Sequence, residues 1–83
     1  MNYEPRLENP VLRQMRDLPE EAFDTLVSVM ARICEDPYDR LASKPTLADA
    51  RMRMAELGDG GFIEFMVDEP ERLVLVLRLV WTG

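Results

Sequence analysis

Not one histidine occurs in the 83 residues, and there is a single cysteine, Cys34. Without histidine there can be no Ser-His-Asp or Cys-His nucleophile, and the side chain most often used as a general base is absent. Cys34 has no second cysteine for an intramolecular disulfide and no histidine for a zinc site, so it reads as a small buried helix residue. No metal and no cofactor is expected. Long apolar runs are also missing: the longest, Leu73 to Trp81, is nine residues interrupted by Arg78, about half of what a membrane span needs. The N-terminus lacks the apolar stretch of a signal peptide, so a cytoplasmic protein without membrane contact is expected. Sixteen acids against ten bases leave a net charge of −6 and a pI near 4.5, which argues against broad phosphate-backbone binding.

What is present is the composition of one soluble domain spanning residues 1–83, at 47% hydrophobic and 31% charged. "MNYEPRLE" carries Pro5 and no helical period, and predicts a short extended edge segment. "NPVLRQMRDLP" predicts a short helix, with Asn9 as cap, Pro10 at the first position, and Leu12, Met15 and Leu18 on one face. A second helix follows, with Asp17 and Glu20 in capping-box spacing. Ala22, Leu26, Val29, Met30 and Ile33 form its apolar face, widened by Phe23, Val27 and Cys34. Pro37 disfavours helical geometry before it, which places the helix end near Glu35.

Residues 37 to 50 hold two prolines without a clear period and read as a long loop of the kind often functional or mobile. From residue 51 the period is that of strands. Asp59-Gly60 at the centre of a hairpin would set Leu57 opposite Phe62, Ala55 opposite Glu64, Arg53 opposite Met66 and Arg51 opposite Asp68. Met52, Met54, Ile63, Phe65 and Val67 would then form the core face. "LVLVLRLVW" is apolar at both parities, as a central strand should be, and its register is open by one residue. Placing Leu73, Leu75, Leu77, Leu79 and Trp81 against the helices leaves Val74, Val76, Arg78 and Val80 outside. The fold class expected is α+β, β-α-α-β-β-β, with two helices on one face of a small antiparallel sheet.

"LPEEAFDTLVSVMARICEDP", the loop after it, and "RMRMAELGDGGFIEFMVDEPERLVLVLRLV" together resemble the RelE/ParE superfamily of small bacterial type II toxins. The second stretch matches that family's strand with alternate basic residues, tight turn, and two apolar strands joined by an acidic turn. The resemblance implies a toxin paired with a cognate antitoxin. In ribosome-dependent members it also implies mRNA cleavage by cations on the open sheet face, which stabilise the phosphate in flight. Carried over, Arg51 and Arg53 fall where the second-strand cations belong, Phe62 where the third-strand arginine is expected, and Thr82 near the last arginine. The sequence ends at Gly83, before the family's C-terminal aromatic. Arg78 lies on the expected face, earlier in its strand. At best half of the endoribonuclease constellation is therefore present, and missing cations do not make such a chain inert, because the gyrase-poisoning branch lacks them as a rule.

Three readings of Arg51 and Arg53 are open: solvated charge beside Glu64 and Asp68, contact with an antitoxin or other partner, or phosphate handling. A paired-carboxylate hydrolase is disfavoured, because Glu64 and Asp68, four apart on one strand, would stand roughly 13 Å apart. Phe62, Met66, Val74, Val76 and Val80 would form an exposed apolar strip suited to a protein partner or a homodimer. The alternatives are cover by the 37–50 loop or the N-terminal segment, or a different strand register. On the register adopted, Val74→Asp should abolish association and leave folding intact. The functional readings are thus a RelE/ParE-like toxin homologue and, alternatively, a non-enzymatic interaction module on the same scaffold, an antitoxin-binding decoy or homodimeric domain.

Overall fold

The computed structural model describes residues 2–47, 49, 51–58 and 60–82. Seven elements follow one another: β1 (Glu4–Leu7), α1 (Asn9–Arg16), α2 (Glu20–Glu35), β2 (Lys44–Pro45), β3 (Met52–Glu56), β4 (Gly61–Asp68) and β5 (Leu73–Trp81). They form a five-stranded sheet in the order β1-β5-β4-β3-β2 with both helices packed on one side. The α+β class and the three-strand meander are as expected. The sheet is mixed rather than antiparallel, because β1 runs parallel to β5, pairing Glu4 with Leu73 through Leu7 with Val76. β1 is an edge strand, where Pro5 costs no ladder bond on the solvent side.

α2 ends at Glu35, two residues before Pro37. The expected caps are not used. Glu8 precedes α1 and Pro19 precedes α2, neither with a side-chain cap, and Asp17 closes α1 instead of opening α2. Glu20 and Glu21 still place negative charge in the first turn of α2, where the helix dipole favours it. Its buried stripe is Ala22, Leu26, Met30, Ile33 and Cys34, whereas Phe23 and Val27, read as part of that face, are exposed, as is Leu12 of α1. Leu26 and Ile33 are wholly enclosed, and burial of each contributes about 1.5–3 kcal/mol. They meet Ala55, Leu57, Ile63, Phe65, Val74, Val76 and Leu79 of the sheet in one core.

Two register differences reassign the sheet faces. The β3–β4 pairing sets Glu56 opposite Phe62, Ala55 opposite Ile63, Met54 opposite Glu64, Arg53 opposite Phe65 and Met52 opposite Met66, one residue away from the expected pairing. Leu57 N–H donates to Gly61 C=O at 2.8 Å, so the connection spans residues 58 to 60, and Gly58 adopts a left-handed φ of 65°. Asp59, at the centre of the expected two-residue turn, lies outside the described residues, as does Gly83. A slip of one residue moves every side chain of a strand to the other face. Met52 and Met54 therefore leave the core, and Ala55 and Leu57 take their place.

The second difference is a bulge. Ladder pairs run from Asp68–Leu73 to Phe65–Val76, then resume at Glu64–Arg78, so Leu77 is the extra residue. The bulge reverses the phase of β5 midway. Val74 and Val76 point to the helices on one side of it and Leu79 on the other, while Leu75 joins Arg78 and Val80 on the open face.

Candidate functional site

The three arginines expected to share one surface do not converge. Arg51 precedes β3 and is held by Asp49, whose carboxylate accepts from the Arg51 backbone N–H at 2.9 Å and from its guanidinium at 3.2 Å. That pairing lowers the Asp49 pKa and raises that of Arg51. Arg53 has the parity of Ala55 and Phe65, so it leaves on the helix side of the sheet. There Nε donates to Ser43 Oγ at 2.8 Å, a terminal nitrogen donates to Ser43 C=O at 3.1 Å, and the guanidinium lies 5.5 Å from the centroid of Tyr38. Arg78 alone stands on the open face, where it donates to Glu64 at 3.1 Å and lies 5.8 Å from the Phe62 ring centroid. Glu64 thus neutralises Arg78 rather than Arg53, and Asp68 instead accepts from the Glu71 N–H in the β4–β5 turn.

Beside that ion pair the open face carries an apolar patch, Met52, Met54, Phe62, Met66, Leu75 and Val80, all half-buried, with Lys44 and Glu56 at its β2–β3 edge. Half of the chain's six methionines are gathered here. Phe62, Met66 and Val80 stand where the expected strip has them, but Val74 and Val76 do not. Both are fully enclosed in the core, because the bulge at Leu77 shifts the phase of β5. The Arg78–Glu64 pair is exposed on the arginine side, and an exposed pair of this kind contributes about 0.2–1 kcal/mol at most. Arg78→Ala should accordingly move the urea midpoint little; a loss of several kcal/mol would show that the pair organises the face.

A second polar constellation joins three segments far apart in the chain. Tyr3, just before β1, places its hydroxyl 2.9 and 3.0 Å from the two oxygens of Glu69 in the β4–β5 turn, and the hydroxyl of Tyr38 donates to the same carboxylate. Arg72 sits 4.3 Å from the Tyr3 ring centroid and 3.6 Å from Glu69, and it adopts a left-handed φ of 57° in doing so. Arg53, over Tyr38, continues the cluster to Ser43, whose hydroxyl donates to Pro37 C=O at 2.7 Å. Sequence reading missed these residues. The only signal was the placement of both tyrosines in aperiodic, proline-bearing segments, and nothing local links positions 66 and 31 residues apart.

The shared carboxylate shifts its partners in opposite directions. The Tyr38 hydroxyl first, and that of Tyr3 second, hold Glu69 below the ordinary carboxylate value. The same bond to Glu69 pushes Tyr38 from 10.0 up to about 12. A folded-state value above the ordinary one means that the bond's contribution is complete below pH 10 and is lost as the pH rises towards 12. The Glu69 contribution has the opposite sense, present at neutral pH and lost on acidification. Melting temperature should therefore fall across the alkaline window in the native chain and fall less in Tyr38→Phe; equal slopes would contradict the assignment.

Comparison with solved structures places this geometry on a known scaffold. Escherichia coli toxin RelE, as an arginine-substituted mutant bound to an antitoxin RelB peptide, superposes with a TM-score of 0.86 over 100% of this chain and 86% of its own, at 15% identity. The fold is that of the RelE toxins. The RelE–RelB complex of Pyrococcus horikoshii aligns over 100% of this chain and 98% of its own at TM-score 0.76 and 18% identity. The RelBE2 toxin–antitoxin complex of Mycobacterium tuberculosis aligns over 98% and 99% at TM-score 0.81 and 19% identity. No protein-family model matches the sequence, and none of the curated proteins does. On this RelE fold, Arg51, Arg53 and Arg78 are each engaged by a separate local acceptor. No described helix is long and apolar enough to cross a membrane, and no group of three or more described Cys, Asp or Glu side chains converges as a metal site.

Proposed function

We propose that this chain is a RelE-like toxin homologue of a type II toxin–antitoxin system that works by binding protein, without the ribonuclease constellation. The observation that carries this reading is the dispersal of its candidate cations: Arg51 onto Asp49, Arg53 across the sheet onto Ser43, and Arg78 onto Glu64. A transferring phosphate needs cations preorganised around one point, and these three guanidiniums are committed to three places. The partner is a cognate antitoxin, in keeping with the RelE–RelB complexes among the structures of the same fold. The setting is the bacterial cytoplasm.

The methionine-rich open face favours a second reading, a non-enzymatic interaction module that captures an antitoxin or a second copy of itself. Flexible thioether side chains adapt to varied apolar partners. Growth of a bacterial host after controlled induction separates the possibilities, with wild type compared against Arg51→Ala/Arg53→Ala at matched expression. Arrest by both is the expected result. Relief in the double variant, with cleaved transcripts in the wild type, would overturn the proposal in favour of ribosome-dependent endoribonuclease action. No arrest by folded wild type would leave the interaction module as the better account.

A further inference from the structure

The outer edge of the sheet is only partly covered. β2 is two residues long and pairs Lys44 with Met54 and Pro45 with Arg53. Backbone groups point alternately to the two sides of an antiparallel strand. Leu57 N–H is directed inward to Gly61, while Met52 C=O is directed outward and accepts from Thr46 N–H at 2.9 Å. Glu56 shares the outward phase of Met52 and Met54, one step past the end of β2. No described residue bonds its N–H or C=O there.

That free edge opens into a cleft of about 370 Å³ between the end of α2, the loop after it, and β3. Arg32, Arg40 and Lys44, the last being the only lysine of the chain, stand around it, and Glu56 is the one acid among its lining residues. None of the three cations is in an ion pair among the described residues. Arg32 is fixed in place by donating to Leu41 C=O at 3.2 Å. In a chain of net charge −6, the local sign is opposite to that of the whole.

We propose that this cleft docks an extended acidic segment of a partner protein, which adds a strand to the β3 edge. Main-chain bonds to Glu56 would supply registry, and Arg32, Arg40 and Lys44 would select carboxylates. β2 carries Pro45, which has no N–H for a further ladder, so the added strand is directed to the stretch beyond it. A nucleic acid would meet the same cations but also the repulsion of the surrounding acidic surface. The inference holds for a protein partner of any activity and does not depend on the toxin reading.

The test is a titration of the isotopically labelled chain, followed by amide shifts and hydrogen exchange. The probe is a peptide about six residues long, a usual strand length, alternating glutamate and valine. Its comparisons alternate lysine and valine, or carry N-methyl groups on the bonding amides. The acidic peptide should protect the Glu56 amide, the N-methylated one should not, and Arg40→Glu/Lys44→Glu should weaken binding by roughly tenfold or more at low salt. Both substituted residues are exposed, so the spectrum of the free variant should stay that of the folded chain. Absence of saturable binding, equal binding of the lysine peptide, or undiminished binding of the N-methylated peptide would overturn the proposal. So would an RNA oligonucleotide that shifts the same amides where the acidic peptide fails.

Discussion

Val74→Asp is expected to unfold the protein. Val74 lies in β5 between Pro5 of β1 and Val67 of β4, with no exposed surface, inside the cluster that joins the sheet to α2. The described cluster around it holds no cation, and an uncompensated buried charge costs about 3–5 kcal/mol or more. Loss of the valine methyl contacts adds to that cost. Small domains have only about 5–15 kcal/mol in total. Val80→Asp, on the half-buried open face opposite Phe62, is the matched control and should retain a cooperative transition. Circular dichroism with urea titration reads both. A wild-type midpoint for Val74→Asp would restore the strip that the residue pattern alone predicts, in which Val74 faces outward.

Phe65→Ala should cost about 3–5 kcal/mol without introducing any charge. Phe65 is the largest of the fully enclosed side chains, flanked by Arg53 on β3 and Val76 on β5 immediately beside the bulge. At about 4–8 °C per kcal/mol for a domain of this size, the melting temperature should fall by more than about 10 °C. Phe62→Ala, three residues earlier on the open face, removes the same atoms from a half-buried position and should cost markedly less. Equal costs for the two phenylalanines would mean that the open face is covered in the free protein, for example by a second copy.

The positions that mislead are instructive because each is locally ambiguous. Asp59-Gly60 is a good two-residue turn by composition, but Gly58, Gly60 and Gly61 allow a three-residue connection just as readily. The observed pairing buries Ala55 and Leu57 and turns Met52 and Met54, both half-buried, to the open face. Methionine tolerates either side, so its presence at alternate positions could not decide. In β5 leucine and valine alternate almost without interruption, so nothing in the residue pattern marks the bulge at Leu77, which shows only in the pairing with β4. Arg53 follows from the same slip: what looks like an inherited cation of the open face is a tether from β3 to Ser43 and Tyr38.

Local chemistry by itself determined a good deal about this protein. It settled the α+β class, the order of elements apart from the two-residue β2, which lies in the segment expected to be loop, the end of α2 ahead of Pro37, the edge position of the Pro5 strand, and the central position of the last strand. Those features depend on residues within a few positions of one another. The tertiary structure decided which side each strand presents, the parallel attachment of β1, the scattering of Arg51, Arg53 and Arg78, and the meeting of Tyr3 and Tyr38 on Glu69. Each of these is a choice among pairings that are nearly equal in local energy, and burial against distant parts of the chain separates them.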